Sequence, residues 1–476
     1  MTDKYELVII GGGVTGTAEL DLAARFTGIN SMALLESRLN PGEENSAVWM
    51  NANTLHRGWE TQHAYEQVRR DSHSADMIVA YARRYGIDKG LDKIVNEFPK
   101  MLLAVGEKEI QKLNERYRQM RGLFPGLQLL SAEGIARVEP NVMKGRNPKQ
   151  KVAAIYRAQN EYAVDYGKLA QHFVETAKDG GKKAGKTINV YTGTKVLQIT
   201  QQENGTYRIK TNNPRHLDLE ARALIISAGA HSLLLAKQMG HCQYLSVTPI
   251  AGDFYRTPKG LNGKVYTIQN PTIPFAAIHG DPDLQETDKT RWGPTARFVP
   301  RLDKFNKSTG KDWRKSFGGL RAVASLADIL TDFEKTAFMA KNFLYQLPFG
   351  LDRYAFARSI RKVIPSTKVA DITHAEGVGG IRPQIIDTRA PHGKKLLLGE
   401  AKVIIDGDEE VLIRAHEGRP ATGRLIVNMT PSPGATMCEG NAEFDIKHIA
   451  KELSVPFYYD KFEQFYGLKR LEAIAA

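Results

Sequence analysis

Gly11, Gly13 and Gly16 stand in the pattern G-x-G-x-x-G directly after the apolar run Leu7-Val8-Ile9-Ile10, with Val14 inside the turn. The first glycine of such a turn lets the chain bend sharply, the second lets backbone approach a pyrophosphate, and the third lets a helix pack closely on the strand. A helix opening there turns its unpaired N–H groups toward phosphate. Glu36 closes the next apolar run about 20 residues further on, where an acid meets ribose hydroxyls. An acid at that place repels the extra phosphate of NADP. The chemistry implied is the binding of a dinucleotide.

The elements that position this turn form a βαβ unit: a buried strand over 6–10, a helix over 17–26 and a second strand over 31–35. The chain then leaves for a polar, Asn-rich loop over 45–61. Helical spacing covers 65–85 and 107–121, and Asp165 is placed to cap a helix running through Ala177. Strand patterns over 190–200 and 206–210 flank Asn204-Gly205, a hairpin turn. A second buried strand over 224–227 breaks at Ala228-Gly229, and a third glycine-proline turn spans 430–436. An NAD domain completes its sheet within about 100 residues, whereas these late returns suit FAD bound in extended form. Between them, residues 247–299 read as an antiparallel sheet with long loops, and a helical stretch covers 322–347.

With 476 residues, 42% hydrophobic and 25% charged, the chain is globular and has room for two or three domains. Its net charge of +13 favours anionic partners: nucleic acid, acidic lipid or an anionic metabolite. Much of the surplus is scattered, and the dense run Lys178, Lys182, Lys183, Lys186 reads as an exposed Gly-rich loop. No zinc pattern, RNA-binding aromatic motif or basic stripe supports nucleic acid. Two cysteines fit neither an iron–sulfur site nor a disulfide framework, which points to a reducing compartment. Asp3, Lys4 and Glu6 disagree with a signal peptide, and the apolar run 224–236 is too short to cross a bilayer.

Several further segments, in their order, carry a family likeness: Asn53-Thr54-Leu55-His56, the stretch 263–271, the stretch 274–283 with His279 and Asp281, Arg291-Trp292-Gly293-Pro294-Thr295, Arg382-Pro383-Gln384 and 430–436. Together with the N-terminal turn they resemble the malate:quinone oxidoreductases, flavoproteins related to D-amino-acid oxidase, over nearly the whole length. The resemblance implies oxidation of L-malate to oxaloacetate by bound FAD, with the electrons passed to a membrane quinone. It also implies a cytoplasmic protein resting peripherally on the inner face of the membrane. The neighbouring expectation is an oxidoreductase of another L-2-hydroxy acid, above all L-2-hydroxyglutarate, one methylene longer.

The same likeness assigns candidate roles. Arg382 clamps a carboxylate through two parallel hydrogen bonds. Arg57, Arg291 and Arg297 are open alternatives for the second carboxylate. His279 is the base for the hydroxyl proton, with Asp281 orienting its ring. Gly280 stands between them where an apolar residue is expected, so the local backbone is expected to differ. His56 contacts flavin, substrate or only its own loop. Asn53, Thr54, Ala228, Gly229, Pro433, Gly434, Ala435 and Thr436 join the cofactor set, and Val196 meets adenine. The aromatic and basic segment 457–470 is the expected interfacial anchor.

The expected architecture is a two-domain α/β (α+β) flavoprotein. A Rossmann-like FAD domain takes 1–62, 150–240 and 375–476. A substrate domain on an antiparallel sheet takes 63–149 and 241–374.

Overall fold

The computed structural model describes residues 3–216, 218–269, 278–348, 350–397, 401–414, 422–429 and 434–468. Its first sheet is built around the strand Asp3–Ile10, which pairs in parallel with Ser31–Leu35 on one side and Asp218–Ile226 on the other. Thr187–Tyr191 extends it in parallel beyond Ser31–Leu35, and Leu425–Met429 beyond Asp218–Ile226. Residues 7–10, 32–35, 223–226 and 425–427 are buried throughout, so they read as unbroken apolar runs. The hairpin Val196–Gln201 with Tyr207–Thr211 turns at Asn204-Gly205 as expected and joins the edge of Asp218–Ile226. An antiparallel pair, Ala401–Asp406 and Glu409–Arg414, completes the sheet beside Leu425–Met429.

Helix Val14–Phe26 packs beneath this sheet against Tyr166–Lys183 and Cys438–Glu452. Asp165 caps the second of these by accepting from the N–H groups of Gly167 and Lys168. That helix runs through Lys183, so Lys178, Lys182 and Lys183 lie on its last turns and not in a loop. Gly180-Gly181 is tolerated there because a side chain at 181 would meet Ile188 Cδ1 at 2.2 Å. Close packing outweighs the cost of about 1 kcal/mol that glycine carries inside a helix.

A second sheet of eight strands lies apart from the first. Its centre is Lys289–Gly293, His279–Pro282, Lys264–Thr267 and Lys100–Val105, in that order. It is antiparallel except where Lys264–Thr267 runs parallel to Lys100–Val105. A four-stranded sheet centred on Leu245–Ala251 and Ile381–Asp387 connects the two. The expected helical stretch over 322–347 divides into Gly319–Leu330 and Phe333–Leu344 at residues 331–332, followed by Leu351–Val363.

The expected C-terminal anchor is instead part of the interior. Phe462 and Tyr466 are buried, and Phe462 sets its edge on Phe26 at 5.4 Å between ring centroids. Phe465 is covered by the guanidinium groups of Arg25 and Arg84, each 4.6 Å from its centroid. These aromatics close the underside of the first helix. Residues 469 and 470 lie outside the described residues.

Candidate active site

Glycine is needed at position 11 because its backbone stands at φ +114° and a Cβ would lie 2.4 Å from the Ser227 carbonyl oxygen. At position 16 a Cβ would meet the Gly11 carbonyl oxygen at 2.0 Å, so this glycine sets helix against strand. Gly13 precedes the helix Val14–Phe26, whose first N–H donates to Ser46 Oγ. The Glu36 carboxylate accepts from the N–H of Gly12 at 2.6 Å and from that of Arg38 at 2.6 Å, which holds it beside the turn. Buried Glu19 braces the turn from below, accepting from Ser227 Oγ and Asn428 Nδ2.

These residues open into a cavity of about 890 Å3. It is lined by Gly11, Gly13, Val14 and Glu36, by Val196, Ala228 and Gly229, and by Asn53, Thr54, His56, Gly434, Ala435 and Thr436. His279 and Arg382 line the same cavity. Gly16 stays behind the wall as a packing residue, and Pro433 lies outside the described residues. The loop at 53–56 and the segment at 434–436 are fastened together, since His56 N–H donates to Thr436 Oγ1 at 3.0 Å.

The cavity fits FAD in both size and chemistry. Its volume lies within the range of cofactor clefts. The strand-to-helix turn has no room for side chains at 11 and 16. Asn53 takes a left-handed backbone, and its buried Oδ1 has no hydrogen-bond partner among the described residues. Buried polar atoms are seldom left so, and an atom of this kind in a cofactor cleft is matched by a ligand donor.

Strand pairing assembles the reactive end. His279 lies directly across from Tyr266, and Gly280 from Val265. Side chains alternate along a strand, so Lys264, Tyr266, His279 and Asp281 share one face. The His279 ring stacks on Tyr266 at 4.3 Å and 12°. His279 Nε2 lies 3.1 Å from Asp281 Oδ2, and the other carboxylate oxygen accepts from Lys264 Nζ at 2.9 Å. Burial alone would raise the Asp281 pKa, but His279 and Lys264 outweigh it and hold the carboxyl well below its ordinary range. Gly280 leaves the strand regular, contrary to expectation. A Cβ there would meet Trp292 Cζ3 and Leu261 Cδ1, each at 2.6 Å, so packing alone accounts for the glycine.

His56 forms a second histidine–carboxylate pair, with Nδ1 2.9 Å from Glu60 Oε1. Burial lowers the His56 pKa and keeps the ring neutral, which leaves Nε2 as the nitrogen that can meet a ligand. Glu60 continues to the buried Lys100 at 3.1 Å, and Lys100 to Glu161 at 2.6 Å. Burial disfavours the Lys100 cation, yet Glu161 and Glu60 together hold its pKa above the ordinary value.

Arg382 lies on the strand Ile381–Asp387, across from Ile250. Its Nη2 comes within 3.2 Å of where a Cβ on Gly252 would stand, so glycine makes room for the guanidinium. Burial pulls the pKa of Arg382 down to about 10. Such a cation is stabilised by an anion entering the cavity.

The three open arginines do not reach this space. Arg57 is bound to Asp76 and the Asn160 carbonyl, and Arg297 pairs with Asp253. Arg291 is buried behind Phe254, its guanidinium carbon 5.1 Å from the ring centroid. Gln62 lines the cavity instead, with a buried Nε2 that has no hydrogen-bond partner among the described residues.

Residues 6–422 match the family described as DAO, FAD dependent oxidoreductase. A probable malate:quinone oxidoreductase of Campylobacter jejuni is 34% identical over 471 residues, covering 96% of this chain and 98% of the relative. The malate:quinone oxidoreductase of Helicobacter pylori is 32% identical over 486 residues, covering 99% and 100%. The chain belongs to the malate:quinone oxidoreductase family. It is an FAD-dependent oxidoreductase, and the shared fold extends to more distant flavoproteins. L-α-glycerophosphate oxidase from Mycoplasma pneumoniae, solved with FAD bound, superposes with a TM-score of 0.62 at 16% identity, over 94% of this chain and 95% of that one. Glycine oxidase from Geobacillus kaustophilus gives 0.61 at 18%, over 95% and 96%.

Sequence reasoning missed Lys264, Tyr266, Glu60 and Lys100. The stretch 263–271 is part of the likeness to the malate:quinone oxidoreductases, but no spacing along the chain joins it to Asp281 or His56. Only Glu60, four residues after His56, carries a local signal, the reach of one helical turn.

Proposed function

We propose that this protein oxidises L-malate to oxaloacetate and returns the two electrons to a membrane quinone. The observation that carries the reading is the convergence of Arg382, His279 and His56 on the cavity that the Gly11–Gly16 turn opens into. Arg382 binds one malate carboxylate in a two-pronged contact. The Gln62 amide meets the second, donating from Nε2. This pins C2 in one orientation, which is worth more to rate than the contacts alone suggest.

His279 then accepts the C2 hydroxyl proton. Asp281 fixes the ring and stabilises the imidazolium that results, while Lys264 keeps Asp281 ionised. Tyr266, whose pKa burial raises well above 10, stays protonated and serves as a flat support for the ring. Bound FAD supplies the acceptor for the hydride that leaves C2. Gly434 and Ala435 would hold its ring through main-chain N–H groups. At the far end Glu36 would take ribose hydroxyls and Val196 would meet adenine.

In this reading 1–62, 150–240 and 375–476 form the FAD domain, and 63–149 with 241–374 the substrate domain. None of the described helices is long and apolar enough to cross a membrane. In this reading the protein meets its quinone while resting on the inner face of the membrane from the cytoplasm.

The test is anaerobic mixing of the flavin-loaded protein with L-malate and, separately, with L-2-hydroxyglutarate. Bleaching near 450 nm, a wavelength typical of flavins in general, should be fast with malate and slow with the longer acid. Faster bleaching by L-2-hydroxyglutarate overturns the substrate assignment.

A further inference from the structure

Helices Gly319–Leu330 and Phe333–Leu344 expose much of their apolar surface. In the second the buried side chain is polar Asn342, which accepts from Ala296 N–H at 2.7 Å and donates to the Phe338 carbonyl. In the first, Ala322 and Ser325 are the buried residues. The large apolar side chains face solvent: Leu320 is 88% exposed, Phe333 83% and Phe343 63%, with Val323, Met339 and Leu344 near half. Leu320, Val323, Ala327 and Leu330 recur at helical spacing, so they form one stripe. Contiguous apolar surface of this kind marks an interaction site.

Cations exceed acids around it. Arg314, Lys315, Arg321, Lys341 and Arg358 are exposed with no carboxylate partner among the described residues, against one exposed acid, Glu334, while Asp332 pairs with Lys335 and Asp328 with His392. The inner face of the hairpin also lies near the cavity wall. Ala296, which holds Asn342, is two residues past Pro294, and Pro294 lines the cavity wall.

We propose that this helical hairpin is the surface by which the protein lies on an anionic lipid bilayer, with Leu320, Phe333 and Phe343 entering the headgroup boundary. The proposal rests on quinone being the acceptor, because a lipid-soluble acceptor must be met where it dissolves. Exposed aromatic and aliphatic side chains with an excess of exposed cations around them match that boundary. A second copy of the chain fits it badly. A two-fold contact sets identical patches face to face and brings each basic rim against itself, in a protein already at +13.

The experiment is flotation of the FAD-loaded full chain with phosphatidylcholine vesicles, with and without phosphatidylglycerol. Wild type should float with the anionic vesicles and far less with the neutral ones. The pair Phe333→Ser and Phe343→Ser, and separately the pair Arg321→Glu and Lys341→Glu, should each weaken the partition roughly tenfold or more. Melting temperature, flavin content and malate-driven reduction of a soluble dye should not change. Lys461→Glu, on the exposed side of helix Tyr459–Tyr466, should float as wild type does.

Wild type that ignores anionic vesicles overturns the proposal, as do hairpin variants that float undiminished. A dimer in sedimentation that the hairpin variants dissolve assigns the patch to a second copy and overturns it equally. Protein that floats but reduces no dye with malate leaves the docking surface standing and removes the proposed substrate.

Discussion

His279 lies flat on Tyr266, ring centroids 4.3 Å apart at 12°, and the same histidine comes within 3.1 Å of Asp281. The ring is thereby held by its face and by one nitrogen. His279→Ala should slow flavin reduction by L-malate by roughly a hundredfold or more while flavin stays bound. Rapid-mixing absorbance measures this, and an unchanged rate removes His279 as the base. His56→Ala, measured beside it, tests the second histidine pair. A larger loss there moves the proton to His56.

Arg382→Lys keeps the charge and loses the fork. Malate should bind roughly tenfold to a hundredfold more weakly, the loss of about 1.5–3 kcal/mol expected for a charge-assisted contact. Titrating the rate of flavin reduction with malate gives the constant. Equal affinity in the variant excludes a two-pronged clamp.

Lys100 is fully buried between Glu60 and Glu161. Lys100→Met leaves two carboxylates without their shared cation and should destabilise the fold by about 3–5 kcal/mol. A urea midpoint indistinguishable from wild type would show that the two acids share a proton without it.

Glu139 accepts from the N–H groups of Asn262 and Gly263 and so anchors the start of the strand that carries Lys264 and Tyr266. Burial pushes its pKa up to about 7. The folded state therefore binds the proton more tightly than the unfolded chain, whose glutamate titrates near 4.3. Stability from this group is complete below about pH 4.3 and is lost as pH rises through about 7. Glu139→Gln removes that dependence. Its melting temperature, compared with wild type, should be relatively lower at pH 5 and should gain on wild type by pH 8. A gap independent of pH refutes the shift.

Gly11→Ala places a methyl 2.4 Å from the Ser227 carbonyl on a backbone at φ +114°. The purified variant should be colourless, with its 450 nm to 280 nm absorbance ratio near zero. Full flavin content would show that the turn can move away.

The dinucleotide turn, the central strands and the Asp165 cap were legible in the sequence because each rests on neighbours within a few residues: a strand's apolar run, a glycine's freedom, a carboxylate reaching the next turn. His279, Asp281 and Arg382 could be named only by likeness to a family. Their meeting in one cavity depends on strands far apart in the chain. Pairing of 264–267 with 279–282 creates the Lys264–Asp281–His279 group, and no periodicity along either segment encodes that partner. The C-terminal aromatics misled for the same reason. Phe462 and Tyr466 look like an interfacial belt until Phe26 is found beneath them, while the exposed hairpin at 319–344 reads as an ordinary helical stretch. Local pattern determines which element forms. Only tertiary packing decides which of its faces is covered, because burial is a property of what arrives from elsewhere in the chain.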